Sequence, residues 1–188
     1  MTGRKLFERA HPAICVVVFL MRIIPRGVLR RMWWMVSWIP GLPGVGLRYV
    51  FSKRLCKSCG QTVFWGTGVI VNNWSNLSIG SNVNIRENCY VDALGGITIG
   101  DNVSIAHASS LVAFEHSYDD TSVPIKYNPL IPAPIKIGSD VWVGCGVRIL
   151  SACEIGERTV IAAGAVVPRG EYAGGIYGGV PAKLLKRL

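Results

Sequence analysis

The sequence predicts an all-β solenoid, and two observations carry that prediction. An aliphatic residue recurs every six positions: Ile79, Ile85, Val91, then Ile99, Ile105, Leu111, then Ile137, Val143, Ile149, Ile155, Ile161, Val167. Superimposed on this, Leu77-Ser-Ile79-Gly-Ser-Asn-Val83, Ile97-Thr-Ile99-Gly-Asp-Asn-Val103 and Ile135-Lys-Ile137-Gly-Ser-Asp-Val141 are near copies. A six-residue period is neither the 3.6 of a helix nor the 2 of a lone strand, and a fixed repeat marks an array. The step from Ile137 to Ile155 is 18 residues, or three hexads; Ile79 to Ile99 takes 20, and Ile99 to Ile137 takes 38. Three short strands and three corners per turn make a triangular coil. Its aliphatic positions point inward, and small second-position residues such as Gly80, Gly100, Gly138, Gly144 and Gly156 permit tight corners. A β-sandwich would space its strands irregularly.

The elements follow in chain order. With 188 residues, half of them hydrophobic and 16% charged, the chain suits one cored domain, or one with an appendage, and excludes a disordered tail or charged linker as its main body. The net charge is +9, but residues 1–60 hold eleven Lys or Arg and one acid, which leaves a balance of −1 on the rest. A basic head on a neutral body argues against a nucleic-acid binder. The apolar run 13–21 ends at Arg22, short of the roughly 20 residues of a spanning helix, and no small-residue cleavage site follows it. Arg26, Arg30 and Arg31 beside Trp33, Trp34 and Trp38 suit two short helices, broken at Pro25 and Pro40, on an anionic membrane surface. The same residues would also serve to pack on the body or on a neighbouring subunit. The stretch 41–46 (GLPGVG) reads as a linker. The division is a helical head over 1–60 and a solenoid over 61–188, with a loop at 117–136 and a short C-terminal helix. Cys56-Lys-Ser-Cys59 has no second pair or His cluster, so no metal is expected, and reduced thiols fit a cytoplasmic protein.

His11 reads as a surface residue of the head and His107 as a packing or surface residue inside a hexad. His116 ends the hexad Leu111-Val-Ala-Phe-Glu-His, immediately before the long interruption. A loop inserted at one corner of a regular rod is a place to build a site without disturbing the core, and His is suited to take a proton near neutral pH. No Ser-His-Asp order is visible and no Cys lies beside a His, so a covalent acyl-enzyme is not needed.

Over roughly residues 64–188 the chain resembles the hexapeptide-repeat O-acetyltransferases, on its repeated Ile-Gly-(Ser/Asp)-(Asn/Asp)-Val segments, Val141-Trp-Val-Gly144, Ala162-Ala-Gly-Ala-Val-Val167 and Gly179-Val-Pro-Ala-Lys183. The resemblance implies a left-handed parallel β-helix, a homotrimer with sites in the grooves between prisms, and direct transfer from acetyl-CoA with His116 as general base. Glu115 or Asp119 would orient its imidazole. For the donor it implies Trp142, Gly144, Cys145 and Ala163 along the cofactor, with Arg169, Lys183 and Lys186 as basic residues, the last two near the CoA phosphates. Pro168 replaces a usual Thr. The loop Ser117-Tyr118-Asp119 is close to that of polysaccharide and lipopolysaccharide O-acetyltransferases, which adds Tyr118 and Asp119 to the acceptor side. By coil register Arg86 and Leu94 fall where simple-sugar acetyltransferases carry Asn and Asp, which leaves room for a phosphate-bearing or lipid-linked sugar. The expectation is sugar O-acetylation at the cytoplasmic face of the inner membrane, with acetylation of a small xenobiotic or simple sugar as the alternative.

Overall fold

The computed structural model describes residues 14–188, so the cations Arg4, Lys5 and Arg9 and the histidine His11 lie outside the described residues. Three parallel sheets enclose a triangular core. The first face carries Ser58–Cys59, Leu77–Ile79, Ile97–Ile99, Ile135–Ile137, Cys153–Ile155 and Gly170–Tyr172. The second carries Phe64–Trp65, Asn84–Ile85, Ser104–Ile105, Trp142–Val143, Thr159–Ile161 and Gly175–Gly178. The third carries Ile70–Asn72, Tyr90–Asp92, Ser110–Val112, Arg148–Ile149 and Val166–Val167.

The hexad residues stack coil on coil: Ile79 under Ile99, Ile137 and Ile155, and Ile85 under Ile105, Val143 and Ile161. All are buried, and so is a second inward position two residues before each, among them Val83, Val103, Val141 and Val147. A slip of one residue would turn every one of them outward, which is why the register holds.

The corners correct one detail of the sequence reading. The residue that turns left-handed is the fourth of the hexad, with φ near +57° at Asn82, Asn88 and Asn102 and +55° at Asp140. Asn and Asp tolerate that conformation best among residues with a Cβ. The second-position glycines answer a different need: a Cβ on Gly144 would come within 2.6 Å of the Ala163 nitrogen in the next coil. Glycine is there because coils stack closely. The corner asparagines also ladder, Asn82 Nδ2 donating to Asn102 Oδ1 at 2.7 Å.

Two edges turn in the same six residues in every coil but the last, where Tyr172 to Tyr177 takes five. The third edge, from the third face back to the first, takes the insertions: the 3₁₀ turn Trp74–Asn76, residues 93–96, and the long insertion before Ile135. Insertions at one edge leave the stacked strands of the other two in register.

At the amino end, residues 14–20 are helical, followed by a 3₁₀ turn (Met21–Ile23), helix α1 (Arg26–Val36) and helix α2 (Gly41–Leu55). Pro25 and Pro40 stand at the two helix starts, where a missing N–H costs nothing. The expected linker at 41–46 is instead the first turn and a half of α2. Gly44 admits the Ile39 carbonyl, which would lie 1.9 Å from a Cβ, so this glycine serves contact rather than flexibility. Tyr49, Phe51 and Leu55 of α2 join the solenoid core and close its open end, as terminal caps must. Trp33 is also corrected: it is no surface anchor. It is buried edge-to-face against Trp74 (4.8 Å) and Trp65 (5.7 Å), and its indole N–H donates to the Val69 carbonyl at 2.9 Å. Trp34, Met35 and Trp38 stay exposed. No helix among the described residues is long and apolar enough to cross a membrane.

The expected C-terminal helix is a strand. Lys183–Lys186 pairs antiparallel with Gly175–Gly178 and covers an edge whose backbone groups would otherwise be unpaired.

Candidate functional site

The long insertion is a hairpin rather than an open loop. Phe114–His116 pairs antiparallel with Leu130–Pro132, placing His116 opposite Leu130. Its base is pinned to the solenoid, the Ala113 carbonyl accepting from both Gly95 N–H (3.0 Å) and Ala133 N–H (3.1 Å). His116 thus ends a hydrogen-bonded strand with its side chain exposed, edge-on to the Phe114 ring at 6.4 Å. Among the described residues its imidazole makes no hydrogen bond. Both carboxylates considered for orienting it are engaged elsewhere: Glu115 accepts from Ser151 Oγ at 2.9 Å, and Asp119 from Ser117 Oγ at 3.0 Å.

The loop beyond His116 is clamped from within. Asn128, buried, accepts from Asp120 N–H and donates to the Asp120 carbonyl, each at 3.1 Å. The Ser122 hydroxyl and N–H hold the Asp120 carboxyl below its ordinary pKa. Tyr118, Ile125 and Tyr127 project outward. This clamp was invisible in the sequence, because an isolated Asn in a loop carries no periodic signal. Replacing Asn128 with Ala removes two hydrogen bonds and leaves two backbone groups unpaired. With each bond worth roughly 1 kcal/mol, amide exchange across residues 117–129 is expected to quicken by about 30-fold. Hydrogen-exchange mass spectrometry reads this directly, and unchanged protection would remove the clamp from the account.

The donor-side residues occupy other parts of the prism. Trp142, 57% exposed, lies on the second face, and Gly144, Cys145 and Ala163 lie on the edge between the second and third faces. Successive rungs of that edge are Glu87, His107, Cys145 and Ala163, linked by Ala108 N–H to the Glu87 carbonyl, Gly146 N–H to the His107 carbonyl and Gly164 N–H to the Cys145 carbonyl. A Cys and a His that are far apart in sequence are therefore one coil apart in space. Arg86 sits on this same edge, its guanidinium over the Phe64 ring at 5.1 Å and its Nε 3.2 Å from Glu87. Its charge is already partnered, and it does not stand with His116 of its own chain. Arg169 is exposed on the His116 edge, while Lys183 and Lys186 are exposed on the terminal strand of the second face. Leu94 lies in the irregular corner, its N–H donating to Asp92. A single chain thus gathers Tyr118, Asp119 and Arg169 on the edge of His116, and Gly144, Cys145 and Ala163 on another. Among the described residues no three His, Cys, Asp or Glu side chains converge as metal ligands.

Against this geometry, residues 134–169 match the family profile described as bacterial transferase hexapeptide (six repeats). A putative acetyltransferase of Saccharomyces cerevisiae is 35% identical over 137 residues, 72% of this chain and 68% of the relative. A putative lipopolysaccharide biosynthesis O-acetyl transferase of Escherichia coli is 27% identical over 113 residues, 56% of this chain and 58% of the relative. The solved hexapeptide-repeat acetyltransferase of Vibrio cholerae in complex with acetyl coenzyme A superposes with a TM-score of 0.74 at 27% identity, covering 87% of this chain and 85% of that one. The chain spans 32% of the length of one curated relative and 66% of another.

Proposed function

Because the chain belongs to the hexapeptide-repeat acetyltransferase family, we propose that it is an acetyl-CoA-dependent O-acetyltransferase of surface polysaccharide or lipopolysaccharide assembly. The observation that carries this reading is His116, an exposed imidazole at the end of a pinned hairpin arm beside a clamped loop. In the proposed reaction its unprotonated nitrogen takes the proton of a sugar hydroxyl. The hydroxyl oxygen attacks the thioester carbonyl carbon, the carbon–sulfur bond breaks, and the CoA thiolate leaves and is protonated. Trp142, Gly144, Cys145 and Ala163 would lie along the pantetheine arm, and Arg169, Lys183 and Lys186 would meet the phosphates. These residues fit the role, since Trp142 and the cations are exposed and Cys145 is partly so.

The separation of His116 from Cys145 on different edges supports a homotrimer, in which one chain's His116 edge meets a neighbour's Cys145 edge. A lipid-associated sugar acceptor is supported by the E. coli lipopolysaccharide relative and by the head. There Phe19, Leu20, Ile23, Trp34 and Trp38 are exposed beside Arg22, Arg26 and Arg31, a combination suited to the anionic cytoplasmic face of a membrane. The test presents radiolabelled acetyl-CoA with lipid-linked glycan in anionic vesicles, and in parallel with free sugars and small hydroxylated drugs. Label is expected on the lipid-linked glycan. Label on the free small acceptors alone would replace this reading by small-molecule acetylation.

A further inference from the structure

Where α1 meets the third face, a cavity of about 350 Å³ opens between Arg30, Val71, Asn72, Asn73, Trp74 and Asp92. That is within the range of small-molecule sites, which begins near roughly 300 Å³. Its polar floor is built. Asp92, 7% exposed, accepts from Asn73 Nδ2 (2.7 Å), Asn72 Nδ2 (3.1 Å), Leu94 N–H (3.2 Å) and Tyr90 O–H (3.3 Å). Those bonds fill the carboxylate and orient both amides. The amide oxygens of Asn72 and Asn73 accept no hydrogen bond among the described residues, and the Arg30 guanidinium has neither an ion pair nor a hydrogen bond there. The cavity therefore offers donors and acceptors together, the complement of hydroxyl groups, which are both. Arg30 and Asp92 balance in charge, so an uncharged ring is favoured over an anion.

A second compartment of about 90 Å³ adjoins it, sharing Val71 and Asn72 and walled by Trp33, Trp34, Trp38 and Ile70. This half is apolar and aromatic. The polar half lies on the His116 side of the prism: Asn72, Asp92 and Val112 are successive rungs of the third face, and Val112 precedes His116 by four residues, while the aromatic half runs back along that face toward Gly68. One rung is about 4.8 Å, so the cavity sits one to two rungs from the root of the His116 hairpin.

We infer that this paired cavity is the acceptor subsite for a glycolipid, with a sugar ring between Arg30 and the Asn72–Asn73 amides and the lipid portion along Trp34 and Trp38. The inference rests on the proposed sugar acetylation for its purpose, but binding is measured apart from transfer. The probe is radiolabelled octyl β-D-glucoside below its micellar concentration, in equilibrium dialysis with the full chain carrying His116→Ala. Saturable binding is expected, with methyl β-D-glucoside at least about tenfold weaker because it lacks the apolar tail. Arg30→Ala and Trp34→Ala, both at exposed positions and checked for unchanged melting, should each weaken the octyl glucoside by fivefold or more. Absence of saturable binding overturns the subsite, as does equal affinity for the two glucosides or full affinity in both variants. If octyl glucoside binds as expected but the parent protein acetylates no sugar, the acetyl-transfer reading fails and the subsite stands.

Discussion

His116→Ala is expected to lower acetyl transfer to the glycan acceptor by about 10²–10⁴-fold, the range that general base catalysis contributes. The fold should not notice. The imidazole is exposed, makes no hydrogen bond among the described residues, and contributes only an edge contact at 6.4 Å to Phe114. Surface changes of this kind shift stability by about 0.5 kcal/mol or less, so the melting temperature should stay within roughly 2 °C. Loss of rate without loss of fold separates a catalytic residue from a structural one. The KM for the acetyl donor should also hold, because its arm and phosphates are assigned to Trp142, Gly144, Cys145, Ala163, Arg169, Lys183 and Lys186 and none of them to the His116 imidazole. Wild-type turnover in the variant would remove His116 from the mechanism.

Arg48→Ala is expected to cost about 4 kcal/mol of stability. The side chain is 2% exposed and donates to the carbonyls of Ile39 (2.7 Å), Trp65 (2.8 Å) and Ser37 (3.5 Å). It ties α2 to the first coil and to the connection from α1 in a single step. Burial lowers the guanidinium's pKa from its ordinary value and Glu87 opposes that effect. A guanidinium is charged in proteins, so its hydrogen bonds are charge-assisted. Each such bond is worth roughly 1.5–3 kcal/mol, and truncation leaves the carbonyls without a donor as well as a void. At about 2–4 °C per kcal/mol for a chain of this size, the melting temperature should fall by about 8–16 °C. Differential scanning calorimetry decides the point. A fall of under about 2 °C would mean that the head is not anchored through this residue.

Much of the solenoid was legible because its physics is local and repeated. An aliphatic residue every six positions is both the cause of the inward ladder and its signature, so Ile79, Ile99, Ile137 and Ile155 announced their own stacking. His116 was legible for a related reason, since an interruption stands out only against a regular background. The head was less so. Trp33 and Trp34 are neighbours with the same propensity, and only the position of Trp65 and Trp74 decides which of them is buried. The glycines at 41–46 signalled flexibility by composition, whereas Gly44 answers to a carbonyl approaching from outside its own helix. The terminal strand belongs to the same class: Lys183–Lys186 has no strand pattern of its own and pairs because the last coil leaves an edge to cover.

The sequence by itself determined the coil, its three faces, its register and the corner that departs from regularity, because each depends on spacing along the chain. Tertiary structure decided which candidate residues stand together. It set His116 apart from Cys145, brought His107 within one coil of Cys145, and joined Arg30 of the head to Asn72, Asn73 and Asp92 of the body. The physical reason is that a solenoid converts separation in sequence into height and angle: residues one full turn apart become neighbours, and residues a third of a turn apart face different ways.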